Sequence, residues 1–95
     1  MILDDVKVAL RVSHSAFDGE ISDLIDAAKQ DLIISGISKE KANATTDIDP
    51  LIKRAIITYC KAYFGFDNPD SDRLVKAYEL LKTHLSLAGD YHVIS

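Results

Sequence analysis

The chain has 95 residues, of which 47% are hydrophobic and 27% charged, and its formal net charge is −4. This length and balance predict one globular domain over residues 1–95 rather than a disordered chain. No apolar run reaches the roughly 18–20 residues of a membrane span, and no basic segment precedes an apolar one at the N-terminus, so we expect a protein that works without a membrane, inside a cell or in a particle assembled there.

The N-terminal half of the chain predicts two helices. The first, near residues 4–12, begins with two acids and has Arg11 near its end, an order that the helix dipole favours. The second is expected near residues 18–35, with Ser15 or Asp18 as its N-cap and Gly36 at its end. Its apolar residues recur at core-facing spacing and comprise Ile21, Leu24, Ile25, Ala28 and Leu32.

His14 and the acids that follow it raise the question of a metal or catalytic site. The acids of the second helix fall outside its apolar stripe, and capping, the helix dipole and solvation account for them. Zinc needs closely spaced thiolate and imidazole ligands, and hard cations need oxygens that converge in a loop. Neither pattern is present, so we expect no metal here. Phe17 suits a hydrophobic staple that packs near Ile21 or Ser22.

A third helix is predicted near residues 50–65, after a loop of about a dozen residues with the sequence ISKEKANATTDID. Asp49 is a good N-cap and Pro50 suits the first helical position. The apolar residues of this helix cover a wide span of the helical wheel and include a flank formed by Ile57, Cys60 and Phe64. Such a helix is either central in the fold or covered by another chain as well as its own.

The fourth helix is predicted near residues 70–88, because Pro69 and Asp70 form a strong helix start. Leu80 and Leu87 lie seven residues apart on a face separate from the core stripe. That stripe comprises Leu74, Ala77, Tyr78, Leu81, Leu85 and Ala88. The last residues, DYHVIS, suit an extended tail. The predicted fold is therefore all-α, a small four-helix bundle with a long loop between helices 2 and 3 and an extended C-terminal tail.

The sequence carries no catalytic or cofactor signature. There is no GxxxxGK[ST], GxGxxG, HExxH, CxxC or GxSxG motif, so we expect neither an enzyme nor a bound cofactor. Cys60 is the single cysteine and lies among apolar helix positions, which predicts a buried thiol that packs in the core.

The charges are unevenly spread along the chain. Residues 1–49 hold ten acids and five bases, and residues 50–95 hold five acids and six bases. The sequence shows no cluster of lysines and arginines for gripping DNA phosphates, and the acidic second helix would be repelled by phosphates in a helix-turn-helix. A protein that tolerates DNA without gripping it is compatible with this balance.

Four consecutive segments together resemble a known family. They are the short helix LDDVKVALRV, the polar hinge SHSAFDGE, the acidic amphipathic helix ISDLIDAAKQDL and, after a variable loop, DPLIKRAIITYCKAYFG with its aromatic end. Over roughly residues 2–66 this order is similar to the small head–tail connector proteins of tailed bacteriophages and prophages, also called head-completion or adaptor proteins. Many members carry more acids in the hinge, where this chain has Ser13, His14, Ser15, Ala16 and Phe17.

The resemblance implies a structural role in the virion, at the head–tail junction, after assembly in the host bacterial cytoplasm. Such proteins form a ring, commonly of about a dozen subunits, beneath the portal protein. The ring extends the DNA channel and docks the tail or a stopper protein, while DNA passes through without specific binding. Neither a cofactor nor catalysis is implied.

The surplus apolar residues then become candidates for a subunit or partner interface. They are Ile57, Cys60, Phe64, Leu80, Leu87, Tyr91, Val93 and Ile94. The alternative hypothesis is a small monomeric or dimeric helical adaptor or regulatory protein, also without catalysis, in which Leu80 and Leu87 are ordinary surface residues.

Overall fold

The computed structural model of the chain describes residues 2–65 and 68–88, which form five helices. The helices are α1 (Ile2–Leu10), α2 (Asp18–Ile34), α3 (Lys39–Ala42), α4 (Pro50–Tyr63) and α5 (Ser71–Leu87). The all-α prediction is confirmed, and the four predicted helices correspond to α1, α2, α4 and α5. The predicted extended tail lies outside the described residues.

Helix α4 is central, because α1, α2 and α5 all pack against it. One face of α4 is fully or almost fully buried and comprises Ile52, Ala55, Ile56 and Cys60. The other helices contribute apolar side chains to the same core, namely Val6 from α1, Ile21, Ile25, Ala28 and Leu32 from α2, and Tyr78 and Leu85 from α5. The spacing of three and four residues in each helix is what places these side chains on one face.

The segment between α2 and α4 is not the plain loop that the sequence predicts. It contains α3, and both Ile37 and Ala42 are fully buried in the core. The few apolar residues among many polar ones do not signal a helix, but the burial of Ile37 and Ala42 folds the segment back onto the domain. The predicted long loop is therefore wrong for residues 39–42, and the described residues form five helices rather than the predicted four.

The end of α2 explains how the chain turns back. Gly36 adopts a left-handed conformation with φ of 103°. Its N–H donates to the carbonyl of Ile33 at 3.0 Å, and the N–H of Ile37 donates to the carbonyl of Leu32 at 3.0 Å. This pair of bonds is a Schellman motif, and the burial of both Leu32 and Ile37 supplies the hydrophobic contact that accompanies it.

The start of α2 has no side-chain cap. Phe17 occupies the N-cap position without a side-chain hydrogen bond, so the predicted cap by Ser15 or Asp18 is wrong. Asp18 is instead the first helical residue, and its Oδ1 lies 2.7 Å from Nζ of Lys7 on α1. Because that oxygen is buried, the lysine ammonium compensates its charge, and the dipole of α2 also favours a carboxylate there.

Capping is as predicted at α4 and is indirect at α5. Oδ1 of Asp49 accepts hydrogen bonds from the N–H groups of Leu51, at 2.8 Å, and Ile52, at 3.3 Å. At the other end of α4, Gly65 turns the chain with φ of 87°. Asn68 then donates to the carbonyl of Lys61 at 2.6 Å, and Ser71 donates to the carbonyl of Ala62 at 3.0 Å. These bonds fix the start of α5 on the last turn of α4.

Replacing Gly36 by alanine tests the Schellman turn. A side chain at φ of 103° is strained, so Gly36→Ala should lower the free energy of unfolding by about 1–2 kcal/mol in urea denaturation. The matched control is Gly19→Ala, which lies inside α2 with no heavy atom within 4 Å of the added Cβ and should keep or raise stability. Equal effects of the two substitutions would contradict the assigned role of Gly36.

Candidate interaction surfaces

A surface groove of about 850 Å³ runs between α4 and α5. On α4 it is lined by residues that lie roughly half a turn round the helix from the buried face, at about 100° per residue. The apolar lining comprises Leu51, Ile57, Leu74, Ala77, Leu80 and Leu81. Ala77 was predicted in the core, but it is exposed, because no helix in residues 2–65 and 68–88 covers the groove.

The charged side chains that line this groove are all cationic. They are Lys53, Arg54, Lys61 and Arg73, and His84 lies with them. Lys53 pairs with Asp5 at 3.2 Å and Arg73 pairs with Asp70 at 3.5 Å. Arg54 and Lys61 have no ion-pair partner among residues 2–65 and 68–88. The sequence did not predict this cluster, because its members come from two helices. The helical spacing of Arg54 and Lys61 is the signal in the sequence that indicates part of it.

The structure brings only part of the predicted interface set together. Ile57, which is partly buried, and Leu80, which is 61% exposed, line the same groove. Leu87 is 75% exposed and lies one turn beyond the end of the groove. Tyr91, Val93 and Ile94 lie outside the described residues. The exposed leucines of α5 therefore form a surface that the described part of the chain leaves uncovered.

Phe64 lies elsewhere, in an aromatic cluster near the hinge. Its ring meets that of Phe17 edge-on at 5.6 Å between centroids, and Phe17 in turn contacts the ring of His14 at 5.4 Å. Nδ1 of His14 also accepts a hydrogen bond from the N–H of Ala16 at 3.3 Å. Phe17 therefore fastens the hinge to the end of α4, a more distant contact than the predicted one with the first turn of α2.

Cys60 is fully buried in the core. Burial raises the pKa of its thiol to about 12, so the group is protonated at neutral pH and is a poor nucleophile. A contact between this thiol and another subunit would require the domain to open.

A polar network around the hydroxyl group of Tyr78 joins α2 to α5. The hydroxyl of Tyr78 donates to Oδ2 of Asp31, and Nζ of Lys82 lies 3.0 Å from the same oxygen. Burial raises the pKa of Tyr78, and its hydrogen bond to Asp31 raises it further. Burial alone would lower the pKa of Lys82, but its hydrogen bonds to Glu79 and Asp31 leave that pKa above its ordinary value. Tyr78, Asp31, Lys82 and Glu79 are each paired within this network, which ties the middle of α5 to α2.

The outer face of α2 is acidic. Glu20, Asp23 and Asp26 are exposed there, half a turn from the buried face of the helix. Ala27 lies on the same face of the helix. Ile34, at the C-terminal end of α2, is 81% exposed. None of the three acids has an ion-pair partner in the described part of the chain.

These features define a class of protein, a small helical domain whose distinctive surfaces suit contacts with other proteins. In the described ranges, no group of three or more His, Cys, Asp or Glu side chains could hold a metal ion. The described helices include none that is long and apolar enough to cross a bilayer.

Residues 2–92 match the family model described as Phage connector protein, and the chain belongs to this family. Searches of the curated proteins and of the solved structures return no match. Family membership confirms the resemblance seen in the sequence. It indicates a structural connector role in a phage virion, in association with other head or tail proteins.

The raised pKa of Cys60 predicts a loss of stability in alkali. The folded chain holds the thiol proton up to about pH 12 and the unfolded chain releases it near pH 9, so stability falls as pH rises through this window. The slope contributed by one such group is at most about 1.4 kcal/mol per pH unit. Urea denaturation of the wild type and Cys60→Ala between pH 8 and about pH 10 measures it, and the slope should be shallower in the variant. The same slope in both proteins would show that the thiol is not desolvated.

Proposed function

We propose that this protein is a subunit of the head–tail junction that assembles as a ring under the portal. In this position it extends the DNA channel and docks the tail or a stopper protein. The family match over residues 2–92 is the observation that carries the proposal, because it covers nearly the whole chain. Association with the portal and tail, and a ring of about a dozen subunits, follow from the family resemblance.

The distribution of exposed apolar side chains supports several contact surfaces. Val8 on α1 is 78% exposed, Ile34 on α2 is 81% exposed, and Leu80 and Leu87 on α5 are exposed as well. Isolated exposed aliphatic residues are ordinary on any protein. A ring subunit, however, meets two neighbours and a partner at each end, and large exposed apolar side chains on α1, α2, α4 and α5 suit that number of contacts.

The net charge of the chain suits a conduit for DNA. At −4, the subunit carries the same sign as the phosphate backbone, and a ring of such subunits multiplies that charge. Repulsion between like charges disfavours adhesion of the passing DNA to the protein.

A monomeric or dimeric adaptor or regulatory protein is the competing function. The identity of the neighbouring genes distinguishes the two hypotheses with little experimental work. A connector gene is expected beside genes for a portal and a major capsid protein. A regulatory protein has no reason to be encoded there.

Removing the chain from the phage or prophage that encodes it gives the direct test of function. The expected result is DNA-filled heads and separate tails in electron micrographs, with joining restored by the wild-type gene supplied in trans. The double variant Leu80→Gln/Leu87→Gln should restore joining poorly. Both side chains are exposed, so its free energy of unfolding should stay within about 1 kcal/mol of the wild type.

Lys76→Gln/Thr83→Gln is the matched control, because both residues are exposed on the same helix and carry no large apolar group. It should restore joining fully. Normal joined particles in the absence of the chain would refute the connector function. Full restoration by the leucine variant would leave that function standing and would remove α5 from the interface.

A further inference from the structure

The groove between α4 and α5 has the composition of a docking site for an acidic amphipathic helix. Its floor is apolar, with Leu80 61% and Leu51 45% exposed, and every charged residue in its lining is a cation. Arg54 and Lys61 in particular have no counter-charge within the described ranges of this subunit. Helices commonly bind other proteins by laying one face into such a groove.

The outer face of α2 carries the complementary chemistry. It presents Glu20, Asp23 and Asp26 together with Ala27 and the exposed Ile34. At 1.5 Å per residue, the stretch from Glu20 to Ile34 is about 21 Å long, and the groove side of α4 from Leu51 to Lys61 is about 15 Å long. The acids themselves, from Glu20 to Asp26, span about 9 Å, close to the distance of about 10 Å from Arg54 to Lys61.

We infer that the α4–α5 groove of one subunit receives the acidic outer face of α2 from a second copy of this chain. Arg54 and Lys61 would then face Asp23 and Asp26 of the neighbour, and the groove floor would be covered. Opposite charges that meet across such a contact mainly set its orientation and its rate of encounter. The affinity comes mainly from the apolar floor of the groove.

The relative position of the two surfaces fits a ring. Both the groove side of α4 and the acidic side of α2 point away from the contact between these helices, so they lie on different sides of the subunit. Contacts between different surfaces are heterologous and continue from copy to copy until the rotation closes. The inference rests on the proposed ring and assigns its subunit boundary.

Nucleic acid fits the groove less well than protein. Two of its four cations are already paired with Asp5 and Asp70. The exposed leucines on its floor would also face solvent beside a phosphate backbone, which cannot cover them. A helix with acids and apolar residues covers both parts of the lining.

Complementary charge reversals test the pairing. Arg54→Glu/Lys61→Glu reverses the groove, and Asp23→Lys/Asp26→Lys reverses α2; all four side chains are exposed, and circular dichroism checks folding. Sedimentation of the wild type up to about 1 mM should show self-association. Each variant alone should weaken it by at least about tenfold, because like charges then meet. A 1:1 mixture of the two variants should restore it, since each groove again meets an α2 face of opposite charge.

Lys39→Glu/Lys76→Glu is the matched control for the groove variant. It changes the net charge by the same amount at exposed positions outside the groove, and it should associate like the wild type. A wild type that stays monomeric up to about 1 mM, or association that neither variant alters, overturns the pairing. Salt-dependent binding of a short DNA duplex by the wild type also overturns the pairing if Arg54→Glu/Lys61→Glu abolishes that binding. In all three cases the head–tail joining assay still decides the proposed function independently.

Discussion

Burial of one face of α4 is the constraint on which the rest of the structure depends. Ile52, Ala55, Ile56 and Cys60 are at most 1% exposed, and three helices surround them. Truncation of a single buried isoleucine to alanine costs about 2–5 kcal/mol, a large fraction of the stability of a small domain. Because α1, α2 and α5 all pack against it, α4 also fixes how their outer surfaces are oriented.

That same helix links stability to recognition. Its buried face assembles the domain, while its opposite face, with Arg54, Ile57 and Lys61, lines the groove. The polar bonds that join α4 to the start of α5 hold both walls of the groove in one geometry. A rigid groove loses little conformational freedom when a partner helix enters it, so more of the contact energy is available for binding.

Sequence reasoning succeeded where the signal was local. Helical periodicity located α1, α2, α4 and α5, and the Asp49–Pro50 start was read correctly because capping depends on adjacent residues. It failed where contacts were distant. The Lys7–Asp18 ion pair replaces a cap, and the contact of Phe17 with Phe64 spans much of the chain. Likewise, the cationic groove exists only once α4 and α5 are placed side by side. The family, by contrast, could be inferred from the order of the patterns alone.

We propose that this chain is a ring subunit whose fold is set by α4 and whose outer faces make the assembly. A cryo-electron microscopy reconstruction of the head–tail junction in the phage that encodes it tests this claim most directly. The account predicts a closed ring of this chain beneath the portal, with α2 of each subunit lying against the α4–α5 groove of the next. A joined particle whose junction lacks this chain, or contains it without contacts between copies, would contradict it.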